Sequence, residues 1–309
     1  MSLIFACQDV PPAPWIAALG KALPEADIHV WPDHGKIEEV EFALIWGPYA
    51  REMKQFPNLK AMMSLGAGVD HILEQVDRPM HVPVVRLIDP GLKTGMVEYI
   101  LYNVLRYHRR MPDFEQQQKK ALWIERSQAV PSERRIGILG LGEIGLACAE
   151  ALTRLGFDLI GWSRTKKEIL DVGCFYGDET LKPFLSQSSI LICLLPLTPE
   201  TEGILNKATL AAMPAGSYLI NAGRGGHLVE GDLLDALNSG HIAAATLDVF
   251  REEPLPRDNP FWHHPSVTVT PHIAALTLPQ TAAPVIADII DRVRAGRKVP
   301  GMVDPDVGY

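Results

Sequence analysis

A chain of 309 residues has room for two domains of ordinary size, each with its own core. Hydrophobic residues make up 47% and charged residues 21%, the profile of a folded protein and one that excludes wholesale disorder. The formal net charge is -8 and no block of Lys and Arg stands out, so the basic stripe that a nucleic-acid partner requires is missing.

The N-terminus carries no basic segment and soon meets Pro11, Pro12 and Pro14, and no apolar run nears the ~20 residues of a membrane span. A cytoplasmic protein with no membrane partner is expected. Cys7, Cys148, Cys174 and Cys193 form no C-x-x-C pair and read as inert thiols in a reducing compartment. From residue 1 onward, short apolar runs alternate with longer helix-like stretches, the pattern of α/β layers on parallel sheets. The first series predicts strands over residues 3–6, 28–30, 42–45, 61–64 and 82–85. A long amphipathic helix over 95–108 comes next, then a polar stretch over 113–128 that contains Trp123. Within that stretch, residues 116–120 read as a solvated helix face.

The second series predicts strands over 135–139, 159–162, 190–194, 218–221, 244–247 and 267–270. A last helix over 280–295 has no strand series after it, so it is expected to return to the first domain. This makes residues 1–98 plus 277–309 a discontinuous substrate-binding domain and 99–276 a dinucleotide-binding domain. The predicted fold class is α/β, two Rossmann-like or flavodoxin-like parallel-sheet domains with an active-site cleft between them.

The second series opens on Arg135-Ile136-Gly137-Ile138-Leu139-Gly140-Leu141-Gly142-Glu143-Ile144-Gly145. This is a strand running into G-x-G-x-x-G, followed by an amphipathic helix that Gly156 stops. Glycines at these spacings permit a tight turn, close approach of a pyrophosphate and close helix–strand packing. The helix N-terminus, with Glu143 and Ile144, then offers free N–H groups to phosphates. Such glycines also serve ordinary turns, and it is the flanking strand and helix that favour a dinucleotide. NAD-preferring sites place an acid at the end of the next strand, to hold the ribose hydroxyls. Here that position reads Ser163-Arg164-Thr165-Lys166-Lys167. A hydroxyl, the Arg164 fork and Lys167 suit a 2′-phosphate, so NADPH is favoured over NADH, the alternative being a solvated basic loop.

Three segments fall at predicted carboxyl ends of second-series strands, the edge where open α/β sheets bind ligands. They are Asn221-Ala222-Gly223-Arg224-Gly225-Gly226, Asp248-Val249-Phe250-Arg251-Glu252-Glu253-Pro254, and Thr270-Pro271-His272-Ile273-Ala274-Ala275. Taken singly, each signal is weak: a strand-end arginine is more often a salt-bridge partner, a glutamate before proline is commonly a loop carboxylate, and the histidine is one of ten.

Their order, with the upstream glycine motif, resembles the D-isomer-specific 2-hydroxyacid dehydrogenase family. Ser64-Leu65-Gly66-Ala67-Gly68-Val69-Asp70 is similar to that family's substrate loop, although a plain turn after a strand gives the same residues. Leu194-Leu195-Pro196-Leu197-Thr198 is similar to its cofactor-lining segment, and Val97-Glu98-Tyr99 to part of its interdomain helix. The resemblance implies that Arg224 grips the substrate carboxylate and polarises the keto oxygen. It implies that His272 donates the proton to that oxygen and that Glu253 orients and charges the imidazole. Backbone N–H groups of the 65–69 loop would take the rest of the carboxylate, with Leu65, Gly66, Ala67 and Gly68 as its substrate-binding residues. Asp248 would accept from the nicotinamide carboxamide, with Leu195, Pro196 and Ala222 lining the cofactor. The family commonly has Ala where this chain has Gly223.

Trp46-Gly47-Pro48, the 65–69 loop, Leu92-Lys93-Thr94-Gly95-Met96 and the tail Val303-Asp304 through Gly308-Tyr309 resemble most the family's glyoxylate and hydroxypyruvate reductases. Trp46 and Met96 would narrow the cleft to a small 2-keto or 2-hydroxy acid, or Trp46 serves core packing alone. The alternatives are a nicotinamide-sensing co-repressor or scaffold on the same fold, or a phosphoglycerate- or formate-type dehydrogenase. A homodimer through residues 95–123, as in the family, is expected. No metal site is expected, since His263-His264 lack further ligands at metal spacing.

Overall fold

A computed structural model of the chain describes residues 1–304, so Gly308 and Tyr309 of the tail lie outside the described residues. The first series runs β1 (Ser2–Cys7), α1 (Pro12–Ala22), β2 (Asp27–Val30), β3 (Val40–Trp46), β4 (Ala61–Ser64), α2 (Asp70–Leu73) and β5 (Val84–Val85). The long helix α3 (Pro90–His108) and α4 (Met111–Lys119) follow. The second series is β6 (Arg135–Leu139), α5 (Glu143–Arg154), β7 (Asp158–Ser163), β8 (Val172–Tyr176), α6 (Asp178–Leu185), β9 (Ile190–Cys193), α7 (Lys207–Ala212), β10 (Ser217–Asn221), α8 (Glu230–Asn238), β11 (Ile242–Leu247) and β12 (Val267–Val269). Helix α9 (Pro279–Arg294) comes last. Two compact units result: Met1–Thr94 with the segment from Leu276 onward, and Gly95–Ala275.

The first unit is a parallel sheet of five strands in the order β2-β1-β3-β4-β5, the flavodoxin-like arrangement. Its strands are apolar on both faces because both are covered. In β1, Leu3 and Phe5 point to a core shared with Trp15 and Leu19 of α1 and with Ala282, Ile286 and Ile289 of α9. Ile4 and Ala6 point to the opposite core, with Met53 and Ile72. The spacing of the buried α9 residues is that of one helical face. Beside β5, Val303 donates its N–H to Val84 at 2.9 Å.

The second unit is a parallel sheet of seven strands in the order β12-β11-β10-β9-β6-β7-β8. The chain leaves β6 toward β7 and later returns to β9 on the other side, so the strand order reverses between β6 and β9. That reversal is the topological switch point at which doubly wound sheets bind dinucleotides. Residues alternate between two cores here as well: Leu191 and Cys193 face one, Ile190 and Ile192 the other.

Three features depart from the expected elements. Strand β8 was not anticipated; it is a half-buried edge strand whose Gly173 and Cys174 weaken the apolar signal. Helix α3 starts at Pro90, five residues before the periodic run, because the Asp89 carboxylate accepts from the N–H groups of Gly91 at 2.7 Å and Leu92 at 3.2 Å. An Asp cap followed by Pro is a strong helix start that apolar periodicity alone overlooks. Met96, expected beside a cleft, is instead 6% exposed and packed in the core of the second unit with Ile100 and Ala274. Among the described residues, no helix is long and apolar enough to cross a membrane.

Candidate active site

At the end of β6 the chain turns through Gly140 with φ +102°, a conformation that side chains rarely adopt. A Cβ on Gly145 would lie 2.0 Å from the Gly140 carbonyl oxygen, so the third glycine is required by helix–turn packing. A Cβ on Gly142 would meet nothing within 4 Å. Packing therefore does not require the middle glycine, and its open flank at the N-terminus of α5 fits a pyrophosphate. At the end of β7, the buried Ser163 hydroxyl donates to the Thr165 carbonyl at 2.8 Å. Arg164 and Thr165 are exposed and Lys167 half-buried, while Lys166 pairs with Glu168 at 2.9 Å. The Arg164 charge also reaches Glu200, which is held below its ordinary value first by a hydrogen bond from Thr198 and less by that charge. Leu195 and Ala222 are buried and Pro196 half-buried, at the ends of β9 and β10.

Arg224 follows β10 on a tight turn. Its backbone carbonyl accepts from Asn221 Nδ2 at 3.2 Å and from the His227 N–H at 3.2 Å, and its Nη1 donates to the Gly223 carbonyl at 2.9 Å. Gly225 is irreplaceable on steric grounds, since a Cβ there would lie 1.8 Å from the Phe250 carbonyl carbon. The backbone after Arg224 is thus pressed against the backbone that leads to Glu253. Nη2 of Arg251 adds a contact to the Gly226 carbonyl at 3.3 Å.

Glu253 closes a short loop by accepting the Phe250 N–H at 2.9 Å through Oε1. Its Oε2 accepts from His272 Nδ1 at 2.7 Å. Burial works to raise the Glu253 carboxyl, but the His272 and Phe250 hydrogen bonds and the charges of His272 and Arg224 outweigh it. The net effect holds Glu253 below the usual carboxylate range. Arg224, Glu253 and His272, distant in the chain, are therefore brought to one sheet edge in the second unit.

His272 itself sits in the left-handed region, with φ +54°. Asp248, 1% exposed at the end of β11, holds that turn. Its Oδ1 accepts from Thr270 Oγ1 at 2.6 Å and the Ile273 N–H at 2.9 Å, and its Oδ2 accepts from the Ala274 N–H at 2.9 Å. Its carbonyl accepts the His272 N–H at 2.8 Å. Because Thr270 donates to Asp248, the Tyr99 hydroxyl, 2.7 Å away, donates to Thr270 and ties helix α3 to the turn. Sequence reading picked out Asp248 but missed this use of it, along with Thr270 and Tyr99 as its supports. The only hint was a run of polar residues at a strand end.

In the first unit, Ser64 Oγ donates to the Gly68 carbonyl at 2.7 Å and accepts the Gly66 N–H at 3.3 Å, which folds residues 64–68 into a compact turn ahead of α2. The Trp46 ring lies against Gly66, 3.0 Å from where a Cβ would stand, and against the His71 ring with centroids 4.8 Å apart. Half-buried Trp46 thus packs on the loop and on the core at once. Leu65 and Gly66 are buried, while Ala67 and Gly68 are half-buried.

A dinucleotide cradle and an imidazole–carboxylate pair on one sheet edge are what nicotinamide-dependent hydride transfer requires, and the second unit is an oxidoreductase domain of that class. The description "D-isomer specific 2-hydroxyacid dehydrogenase, NAD binding domain" matches residues 101–274. The chain is 44% identical over its full length, and that of the relative, to glyoxylate/hydroxypyruvate reductase A of Yersinia enterocolitica, and 45% identical, with the same coverage, to that of Serratia proteamaculans. Among solved structures, a D-isomer specific 2-hydroxyacid dehydrogenase from Xanthobacter autotrophicus Py2 in complex with NADPH and MES is 44% identical, with TM-score 0.96 over 100% of this chain and 99% of that one. An NADPH-dependent glyoxylate/hydroxypyruvate reductase from Sinorhizobium meliloti in complex with NADP and sulfate is 35% identical, with TM-score 0.93 over 100% and 99%. The chain belongs to the D-isomer specific 2-hydroxyacid dehydrogenase family.

Proposed function

We propose that the chain reduces a small 2-keto acid, glyoxylate or hydroxypyruvate, to the 2-hydroxy acid with NADPH. The observation that carries this is the 2.7 Å His272–Glu253 hydrogen bond, on the sheet edge that also bears Arg224 and the Gly142 cradle. When bound, the nicotinamide supplies the hydride. Gly140, Gly142, Glu143, Ile144 and Gly145 would hold the pyrophosphate, with Leu195, Pro196 and Ala222 lining the site. Ser163, Arg164, Thr165 and Lys167 would receive the 2′-phosphate, a reading supported by the missing acid after β7 and by relatives bound to NADPH and NADP.

The Arg224 guanidinium grips the carboxylate and draws charge from the keto oxygen, a two-pronged task suited to its planar fork. Of the loop N–H groups, Leu65 donates to the Ile45 carbonyl at 3.0 Å and Gly66 to Ser64 Oγ at 3.3 Å, so Ala67 and Gly68 are the ones that would take the remaining carboxylate oxygen, with Trp46 bounding the substrate's free end. His272 gives the keto oxygen a proton from Nε2 while Glu253 holds Nδ1 and offsets the imidazolium charge. Asp248 keeps His272 in its left-handed turn and is assigned the carboxamide as well. The protein acts as a homodimer through residues 95–123, where Tyr102, Met111, Leu122 and Trp123 leave apolar side chains exposed. Steady-state kcat/KM for glyoxylate, hydroxypyruvate and pyruvate, each with NADPH and NADH, tests the proposal. Highest efficiency is expected for a two- or three-carbon acid with NADPH, and no turnover of any 2-keto acid would overturn it.

A further inference from the structure

His227, one of ten histidines and in none of the expected site segments, is fully buried in the second unit. Its Nδ1 accepts the Arg224 backbone N–H at 3.1 Å. The Cys193 thiol lies 3.7 Å from the same nitrogen, and burial pushes that thiol up to about 12, so it keeps its proton and is a second donor. Two donors converge on Nδ1, which must therefore carry the lone pair. Nε2 faces the Pro196 carbonyl at 3.2 Å, which only an N–H can satisfy. These two backbone contacts fit the tautomer with its proton on Nε2.

We infer that His227 is a positioning residue, an imidazole strut that sets Arg224 for the keto acid through Nδ1 and the Pro196 segment for the cofactor through Nε2. This rests on the roles proposed above for Arg224 and Pro196. The chain is built around the strut. A Cβ on Gly223 would lie 3.1 Å from the His227 ring and 3.1 Å from the Leu195 carbonyl oxygen, so the backbone before Arg224 packs tightly on the imidazole. Two further backbone bonds fix it, from the His227 N–H to the Arg224 carbonyl at 3.2 Å and from the Leu205 N–H to the His227 carbonyl at 2.8 Å.

The two nitrogens can be replaced one at a time. In His227→Asn the amide oxygen stands where Nδ1 stood, which keeps the Arg224 bond and loses the Pro196 bond. In His227→Gln the longer amide reaches Pro196 and loses the acceptor for Arg224. The expected result is a split. His227→Asn raises KM for NADPH about tenfold, the size of one hydrogen bond, and leaves KM for the keto acid within about twofold; His227→Gln does the reverse. Identical profiles for the two variants would mean simple packing and would overturn the inference. Two-bond 1H–15N spectra of the wild-type full chain supply a measurement that needs no variant. At neutral pH His227 is expected as the Nε2–H tautomer, and an Nδ1–H tautomer would overturn the inference. Arg224→Gln separates the layers. If it reduces keto acids normally, the Arg224 assignment falls and this inference with it; if it is inactive while the His227 variants show identical profiles, only the strut falls.

Discussion

At the scale of single residues, the candidate site carries a carboxylate that its neighbours favour in the ionised form. Glu253 is held below the ordinary carboxylate range by His272, the Phe250 N–H and Arg224, against the opposing effect of burial. A group with a lowered folded pKa stabilises fully above its unfolded value, and that contribution is lost as pH falls through the folded value. Glu253→Gln is therefore expected to flatten the acid side of a Tm-against-pH curve and to slow turnover at neutral pH; a curve unchanged in shape would remove Glu253 as an ionised partner. His272→Ala is expected to cost about 10²- to 10⁴-fold in kcat with little change in NADPH dissociation, measured by stopped-flow and fluorescence titration. Arg164→Ser is expected to weaken NADPH far more than NADH, and equal losses in KM would refute the 2′-phosphate assignment.

At the scale of elements, the glycines divide into two kinds that the sequence alone writes identically. Gly145 and Gly225 are held by protein atoms at distances no side chain tolerates, whereas Gly142 borders open space. Gly225→Ala is expected to lower stability by several kcal/mol, because backbone and not a flexible side chain blocks the new methyl. Gly142→Ala is expected to leave Tm within a few degrees while raising KM for NADPH. Thermal melts of the two variants beside NADPH titrations check both. A destabilised Gly142→Ala with normal cofactor binding would reassign that glycine to packing. The tie from α3 through Tyr99 and Thr270 to Asp248 shows why strand ends matter: the elements are rigid, and the loops they support inherit that rigidity.

At the scale of the molecule, the apolar side chains on α3, α4 and the segment after them need an explanation. Trp123 is 96% exposed, and Tyr102, Met111, Leu122 and Ile124 are exposed nearby in sequence. Large apolar groups left in water cost free energy that a second copy would recover. A dimer is expected in sedimentation at micromolar concentration. Replacing Trp123 and Leu122 by Asp is expected to shift it toward monomer, and a wild-type monomer would remove the dimer from the proposal.

Both parallel sheets and nearly every strand could be read from the chain, since a strand covered on both faces must be a short apolar run. The glycine turn was legible from its spacing between a strand and a helix, and Arg224, Glu253 and His272 were legible only through the joint resemblance of their segments to one family; the fold brings them to one sheet edge. Edge strand β8, the Asp89 cap and the burial of Met96 were not, each depending on neighbours supplied by distant residues. Nor was the work of His227: nothing local distinguishes a histidine whose two nitrogens are both engaged from the nine others. Patterning along a chain records what solvent and cofactor demand of it. Only the folded backbone decides which hydrogen-bond donors and acceptors finally meet, because those partners lie tens of residues apart.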